Sequence, residues 1–369
     1  MKNFYDVIVI GAGISGCTFA SSFNKRFPDS SILLVEQGRR LGGRSTTRKS
    51  RKNIIFEFDH GLPAISFNKN ISKDLRQLIS PLINSKQLIE ITNDILLING
   101  LGDIDELLTN EKIYRCLPFM INFCEEIINQ SIKPKKINFL FQTLITSIAR
   151  KNNLWDVKTN DARSIQSKNL VLSSSLLAHP RCLEILDINY LPLRDAFKIG
   201  EDKIVDSLLI KIMRQEYLKR RNYILHVSNS LIVNNFNYKY LQIWFSKVLR
   251  DDFNFERIVF QRQSDGSMIN VLHCFYINKT FDICIEKIIK KLILIFYKYK
   301  KIIALLVEAK LIDKMDWGAS QPFNHLIPKE LQWSSISNIG FCGDWFDFIG
   351  CGRVEAAMNS SIRLSKLFR

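Results

Sequence analysis

Residues Tyr5 to Glu36 constrain this chain more than any other stretch. Tyr5-Asp6-Val7-Ile8-Val9-Ile10 is a short apolar, β-branched run, as expected of a strand buried on both faces. Gly11-Ala12-Gly13-Ile14-Ser15-Gly16 follows at once, and Cys17 to Phe27 reads as a helix with Phe19, Ala20 and Phe23 on one face. Ser31 to Val35 is a second strand and Glu36 closes it, about 20 residues past the last glycine of the turn. In such a unit Gly11 makes the tight turn, Gly13 lets backbone approach a pyrophosphate and Gly16 lets helix and strand pack closely. The helix start, with Ile14 and Ser15, points free N–H groups and a positive dipole end at phosphates. Glu36 is placed to accept hydrogen bonds from ribose hydroxyls, and it would repel a 2′-phosphate. A dinucleotide-binding unit is expected.

At 369 residues the chain exceeds the size at which one hydrophobic core stops growing, so two domains are expected. Its formal net charge of +16 raises the question of a polyanionic partner. The lysines are spread along the chain, however. The densest basic runs, Arg48 to Lys52, Lys219 to Arg221 and Lys298 to Lys301, are not interleaved with aromatics, so no nucleic-acid partner is expected. The eight cysteines form no CxxC pair and no zinc-like spacing with histidine, which suits a reducing compartment and predicts no metal site. The N-terminus enters a core strand almost immediately and no long uncharged apolar run exists, so a cytoplasmic protein without stable membrane insertion is expected. Ile283 to Tyr299 reads as a basic amphipathic helix packed with its lysines outward.

Further along, Phe56 to Gly61 alternates apolar and polar residues and breaks at glycine. From Asn70 to Gln130 the pattern is helical, carried by Leu75, Leu78, Ile79, Leu82 and Ile83, then Leu117 to Ile128. Strands are expected at Asn138 to Gln142, Thr143 to Arg150, Trp155 to Thr159 and Leu170 to Ser173. A second strand-rich region includes Leu208 to Met213, Tyr223 to Val227, Leu231 to Phe236, Tyr240 to Phe245, Arg257 to Gln261 and Met268 to His273, with Asp265-Gly266 as a hairpin turn. Tyr240, Trp244, Phe245, Phe260 and Phe275 are candidates to line a pocket or to pack a sheet core.

The loop after Glu36 reads Gln37-Gly38-Arg39-Arg40-Leu41-Gly42-Gly43-Arg44. It resembles the Arg-x-x-Gly-Gly-Arg segment that follows the second strand in the flavin amine oxidase superfamily. Near the other end, Asn338 to Trp345 resembles the strand ending in Gly-Asp of such flavoproteins. Trp317 to Pro322 resembles the stretch that precedes it in the renalase-like branch. The resemblance implies a Rossmann-like, FAD-binding α/β domain formed from residues 1–70, 131–185 and 310–369. A second α+β substrate domain with an antiparallel sheet would comprise 71–130 and 186–309. It implies non-covalent FAD held by Gln37, Arg40, Gly43 and Arg44 beside the diphosphate, and by Ile145 at the adenine. Gly343 and Asp344 would meet the ribitol, while Gly61, Leu62, Gly352, Arg353 and Val354 would lie beside the ring. His60 and Trp345 are the candidate catalytic residues, and Cys351 is a possible covalent tether. The implied reaction is hydride transfer to flavin from a small amine-like or dihydronicotinamide-like donor, with oxygen or another acceptor reoxidising it. A polyene desaturase or isomerase, a non-redox FAD protein and a basic binding protein are the alternatives.

Overall fold

The protein is described here from a computed structural model, covering residues 3–49, 56–276, 284–324 and 326–369. Strand β1 (Phe4–Ile10), helix α1 (Ile14–Arg26) and strand β2 (Ile32–Val35) form the first crossover, with β1 and β2 parallel. Lys25 and Arg26 sit in the last turn of α1, where cations complement the dipole. Short strands β3 (Thr47–Lys49) and β4 (Glu57–Asp59) pair with each other, and β5 (Ile65–Asn68) follows. Ile54 and Ile55, together with the basic run Ser50 to Lys52, lie outside the described residues.

Helix α2 (Lys73–Asn84) starts at a Ser72 cap, whose hydroxyl accepts the Leu75 N–H. The helical pattern expected from 70 to 130 is then interrupted. Strands β6 (Leu88–Glu90), β7 (Ile95–Ile98), β8 (Ile104–Glu106) and β9 (Glu111–Cys116) intervene before α3 (Ile121–Asn129). Their partners are distant in sequence: β9 joins β5 and β6, while β7 joins the second sheet. Segment 71–130 thus contributes α2 and α3 to the core under α1 and β7 and β8 to the other sheet.

Strands β10 (Ile137–Leu140), β11 (Ile145–Lys151), β12 (Leu154–Thr159) and β13 (Ser164–Leu172) complete most of the first sheet. Asn152 and Asn153 have φ of +50° and +60°, making the turn between β11 and β12. Helices α4 (Arg181–Leu186), α5 (Pro192–Asp195) and α6 (Lys203–Met213) come next. Leu208–Met213, expected as a strand, belongs to α6. Asp202 caps it by accepting the Ile204 and Val205 N–H groups, and Val205, Leu208, Leu209 and Ile212 are buried against the first sheet. Burial at about 1.5–3 kcal/mol per large side chain outweighs β-propensity differences of under about 1 kcal/mol.

Strand β14 (Tyr217–Val227) leads to α7 (Ser230–Asn234), which replaces the strand expected at Leu231–Phe236 because Asn229 caps it. Then come β15 (Tyr240–Phe245), α8 (Lys247–Phe253), β16 (Phe255–Arg262) and β17 (Met268–Phe275). The helix expected from Ile283 to Tyr299 is α9 (Ile285–Ile295), with Ile283 outside the described residues. A separate α10 (Lys300–Val307) follows. Strands β18 (Lys310–Pro322), β19 (Trp333–Ser334) and β20 (Ile339–Phe341) and helix α11 (Val354–Leu367) complete the chain.

The first sheet runs β10-β2-β1-β13-β12-β11, with β20 parallel to β13, and is covered on both faces. α1, α2, α3 and α11 share one core with it and α6 another. The second sheet runs β18-β14-β17-β16-β15-β7-β8, antiparallel except where β15 meets β7. One of its faces packs on α9 and α10; the other turns toward Phe56, Phe58 and the first domain. The architecture is mixed α/β, a doubly wound sheet joined to a mainly antiparallel one. No helix among the described residues is long and apolar enough to cross a membrane.

Candidate cofactor and substrate site

The turn after β1 is glycine by necessity. Gly11 has φ of +99°, and a methyl there would lie 2.5 Å from Ser173 Oγ. One on Gly16 would lie 2.0 Å from the Gly11 carbonyl oxygen. Gly13 differs: its nearest neighbours, Gly42 O and Gly43 Cα, are both 3.8 Å from such a methyl, ordinary contact distance, so the protein itself does not exclude a side chain there. α1 begins at Ile14 with no side-chain cap and no acid in its first turn, leaving its N–H dipoles for a ligand.

Glu36 is buried and clamps this turn. Oε2 accepts the Ala12 N–H at 2.9 Å and Oε1 the Gly38 N–H at 2.7 Å. Its backbone carbonyl accepts Thr143 N–H, and Gly38 O accepts Gln142 N–H, which brings the start of β11 at Ile145 beside the acid. Gly42 N–H donates to Ala12 O, so the Gly42-Gly43 segment lies directly on the turn. Gln37 is exposed, and Arg40 reaches Glu57 at 3.8 Å.

Arg44 joins the two ends of the chain. Its Nη1 and Nη2 donate to Asp344 Oδ2 and Oδ1 at 2.8 and 2.7 Å, and Nη1 also reaches Ser320 O at 2.7 Å. Asp344 is buried and Arg44 about half exposed. Asp344 O accepts Gly352 N–H at 2.7 Å, tying the Gly-Asp strand end to the start of α11 at Val354. Arg353 turns away to pair with Glu111. Cys351 Sγ lies 3.1 Å from Asp344 O, and burial, with Asp344 and Asp347 nearby, pushes its thiol up to about 11, so it is not a ready nucleophile at neutral pH. Trp345, next in sequence, is a core residue: it packs on Phe346 at 4.4 Å and covers Gly343, where a methyl would lie 1.8 Å from its Nε1.

Sequence reading missed two residues here. Arg181 stacks over Tyr217 at 4.3 Å, Tyr217 donates to Gln215 Oε1 at 2.7 Å and meets Ser175 Oγ, and both feel the charges of Arg44 and Asp344. The small-residue turn Ser173–Ser175 was the available signal. Arg181 itself lies in Ala178-His179-Pro180-Arg181, which has no pattern to mark it.

Asp59, His60 and Gly61 lie between the two sheets. Buried Asp59 accepts from Thr47 Oγ1 at 2.7 Å and Met120 N–H at 3.0 Å, with Arg115 at 3.4 Å. Gln261 of β16 holds both the Asp59 N–H and carbonyl. Gly61 allows Leu62 N–H to reach Arg44 O at 2.9 Å; a methyl on Gly61 would lie 2.1 Å from that oxygen. His60 stacks on Trp317 of β18, with ring centres 5.6 Å apart. Its Nδ1 is buried without a hydrogen-bond partner among the described residues. Burial, then Arg48, lowers its pKa to about 4 against the opposing pull of Asp313, so it is neutral at pH 7. Asn222 of β14 donates to His60 O.

The second sheet therefore floors this site with the face that carries Asn222, His273 and Arg257, which are cross-strand neighbours on β14, β17 and β16. Tyr240 and Trp244 share that face. Phe245 and Phe260, also expected as pocket candidates, are on the opposite one and pack into the α9–α10 core, as strand alternation requires. Phe275 lies under the Arg220 guanidinium at 5.4 Å.

Residues 9–82 match the family described as the NAD(P)-binding Rossmann-like domain. An uncharacterized protein of Methanocaldococcus jannaschii is 24% identical over 236 residues; the match covers 58% of this chain and 60% of that relative's length. Among solved structures, the chain is similar to a putative protoporphyrinogen oxidase from Exiguobacterium sp. 255-15, with TM-score 0.61, 10% identity and 98% of each chain covered. It is similar to a CLA-producing fatty acid isomerase from P. acnes, at 0.63, 11% and 100% of each chain. A triple mutant of putrescine oxidase, from a redesign of cofactor binding, matches at 0.63, 10% and 98% of each chain. These likenesses are of fold.

Proposed function

We propose that this protein is an FAD-dependent oxidoreductase that oxidises a small-molecule donor. The observation that carries the reading is the convergence of three segments: the Gly11–Gly16 turn, the Gly42-Gly43-Arg44 loop and the Gly343-Asp344 strand end, which meet through the Gly13–Gly42 bridge and the Arg44–Asp344 pair. An extended nucleotide with a second, redox-active half needs such a double grip.

The residues present fit the group. Gly13 lies at an uncapped helix start where the protein tolerates a close approach, Arg44 adds a fixed positive charge beside it while paired to Asp344, and buried nitrogens of His60 and Trp317 stand without partners among the described residues. Gly13 to Ser15 and Arg44 would hold the diphosphate, Glu36 and Ile145 the adenosine, and Asp344 the ribitol. Gly61, Leu62, Gly352 and Val354 would border the ring. When bound, FAD takes the hydrogen and electron pair leaving the donor's C–H bond and passes the electrons to oxygen or another acceptor. The α11 start would favour negative charge at the ring edge by about 0.3–1 kcal/mol. His60, neutral at pH 7, offers Nδ1 as an acceptor for a donor's N–H, and Asn222 holds the His60 carbonyl so that the ring stays on Trp317. The buried tryptophan beside Asp344 serves as a wall in this reading.

The polar end of this sheet face, with Asn222, His273 and Arg257 beside His60, argues against a polyene, which needs an apolar tunnel. The renalase-like branch is retained as the finer reading, on the Trp317 to Pro322 and Gly-Asp resemblance. The test is anaerobic mixing of the purified yellow protein with amines, reduced nicotinamide isomers and carotenoid precursors. Bleaching of the flavin band by an amine or dihydronicotinamide supports the reading; bleaching by a polyene alone, or protein without flavin, overturns it.

A further inference from the structure

We propose that the second sheet's site-facing surface is a carboxylate receptor centred on Arg257, so that the donor is an organic monocarboxylate. This rests on the oxidoreductase reading above and names its substrate class.

The argument is one of charge and of unmet hydrogen bonds. Arg220 holds Glu256 with two bonds of 2.7 and 2.8 Å, and Glu256 is 4% exposed. Burial alone would raise Glu256, but Arg257 and Arg220 hold it down at about 2, so it is fully ionised and committed to Arg220. Arg257 shares Glu256 only at a distance: its Nη2 is 4.0 Å from that carboxylate, an ion-pair contact beyond hydrogen-bond reach, and its Nε has no hydrogen-bond partner among the described residues. Arg115 of β9, which sits over Tyr240 of the second sheet, is matched by Asp59. His273 adds no charge to offset, because burial and Arg257 keep it neutral.

Among the described residues, Arg220, Arg257 and Arg115 thus share two carboxylates, Glu256 and Asp59, and the most weakly matched cation is Arg257, whose side chain is 13% exposed. A cation only partly compensated at that depth is costly, so a further counter-ion is called for. The groups around it select an organic one. The Arg257 guanidinium carbon sits over Trp244, 4.6 Å from the ring centre, which restrains its fork beside an apolar surface suited to the carbon attached to a carboxylate. His273 Nε2 and Asn222 Oδ1 are also buried without hydrogen-bond partners among the described residues, on the strands between Arg257 and His60. Two strand spacings separate Asn222 from Arg257, about 10 Å. A molecule gripped at Arg257 would reach the His60–Trp317 stack with a body of several carbons. The same excess charge disfavours a simple cationic amine; an amine oxidised here would carry a carboxylate as well.

The experiment compares benzoate, benzamide, benzylamine and sulfate as probes at constant ionic strength, read by thermal midpoint and by tryptophan fluorescence of the purified protein. Benzoate alone should raise the midpoint by a few degrees and change the fluorescence. Arg257→Gln should weaken benzoate at least tenfold, Arg257→Lys should weaken it less, and Trp244→Phe should keep the thermal shift while losing most of the fluorescence change. Benzylamine binding as well as benzoate, equal protection by sulfate, or unaltered benzoate binding in Arg257→Gln would overturn the proposal. If Arg257→Gln does not fold, unaltered benzoate binding in Arg257→Lys overturns it instead. Absence of flavin absorbance would count against the oxidoreductase reading only, since both readouts report on the polypeptide.

Discussion

Arg44 and Asp344, 300 residues apart in sequence, meet in a two-point ion pair with N–O distances of 2.8 and 2.7 Å. One partner follows the second strand of the first crossover, and the other ends the last strand of the same sheet. The pair locks together the two segments between which the cofactor is proposed to lie, so its loss should be felt in both stability and binding.

Arg44→Met leaves the Asp344 carboxylate buried without its partner. Because Arg44 is itself 45% exposed, the cost is well below that of a fully buried pair, about 1–2 kcal/mol. The urea midpoint should fall accordingly, and flavin affinity should drop about tenfold or more with the loss of charge-assisted hydrogen bonds. Flavin-to-protein ratio after dialysis reads the second effect. Full flavin retention would show that Arg44 does not touch the cofactor.

Gly13 and Gly16 should separate binding from folding. A methyl on Gly16 would meet backbone at 2.0 Å, so Gly16→Ala should destabilise by about 1–3 kcal/mol or fail to fold. One on Gly13 meets nothing closer than 3.8 Å, and Gly13→Ala should stay within about 1 kcal/mol of the parent while losing flavin. Gly318→Ala, with open space around it, is the control expected to change neither. Urea titration and absorbance of each variant check this; a stable Gly13→Ala protein that keeps its full flavin would contradict the assignment.

His60 is neutral when folded, with a pKa lowered to about 4, against 6.5 in the unfolded chain. The unfolded state therefore binds more protons between these values. The His60 contribution to stability is intact above pH 6.5 and is lost as pH falls toward 4, amounting to about 2 kcal/mol by pH 5. His179, His226 and His273 are shifted in the same direction and add to the wild-type slope. Replacement of His60 by Gln should remove its share, so that the difference between urea-derived stabilities at pH 7.5 and pH 5 shrinks by that amount. An unchanged difference would mean that His60 is solvated.

Trp345→Phe tests the packing role. The indole is 2% exposed and its Nε1 has no partner among the described residues, so phenylalanine costs packing but no hydrogen bond. Stability should fall by about 1–2 kcal/mol, and the rate of anaerobic flavin reduction by donor should stay within about twofold. A hundredfold loss of that rate would restore Trp345 as a catalytic residue.

The nucleotide-binding half was legible because its signals are local. A strand, a turn that only glycine can make, a helix and a closing acid lie within 36 residues, and each has a short-range cause. The fold adds a second task for Glu36 that the sequence does not mark: each of its oxygens accepts one backbone N–H, from Ala12 and Gly38, and keeps a lone pair for a ribose hydroxyl. Leu208–Met213 and Leu231–Phe236 carry β-branched and apolar residues that read as strands; the caps at Asp202 and Asn229, and burial against a sheet contributed from elsewhere, made them helices.

What the sequence determined alone was therefore the first crossover, the two glycine-rich loops, the Gly-Asp strand end and the strand-rich character of much of residues 205–273. What only the tertiary structure decided was who meets whom: Arg44 with Asp344, His60 with Trp317, Arg181 with Tyr217, and Arg257 left without a full partner. These pairings depend on strand order and on which face each alternating residue presents. That is set by burial summed over the whole chain, and no window of the sequence contains it.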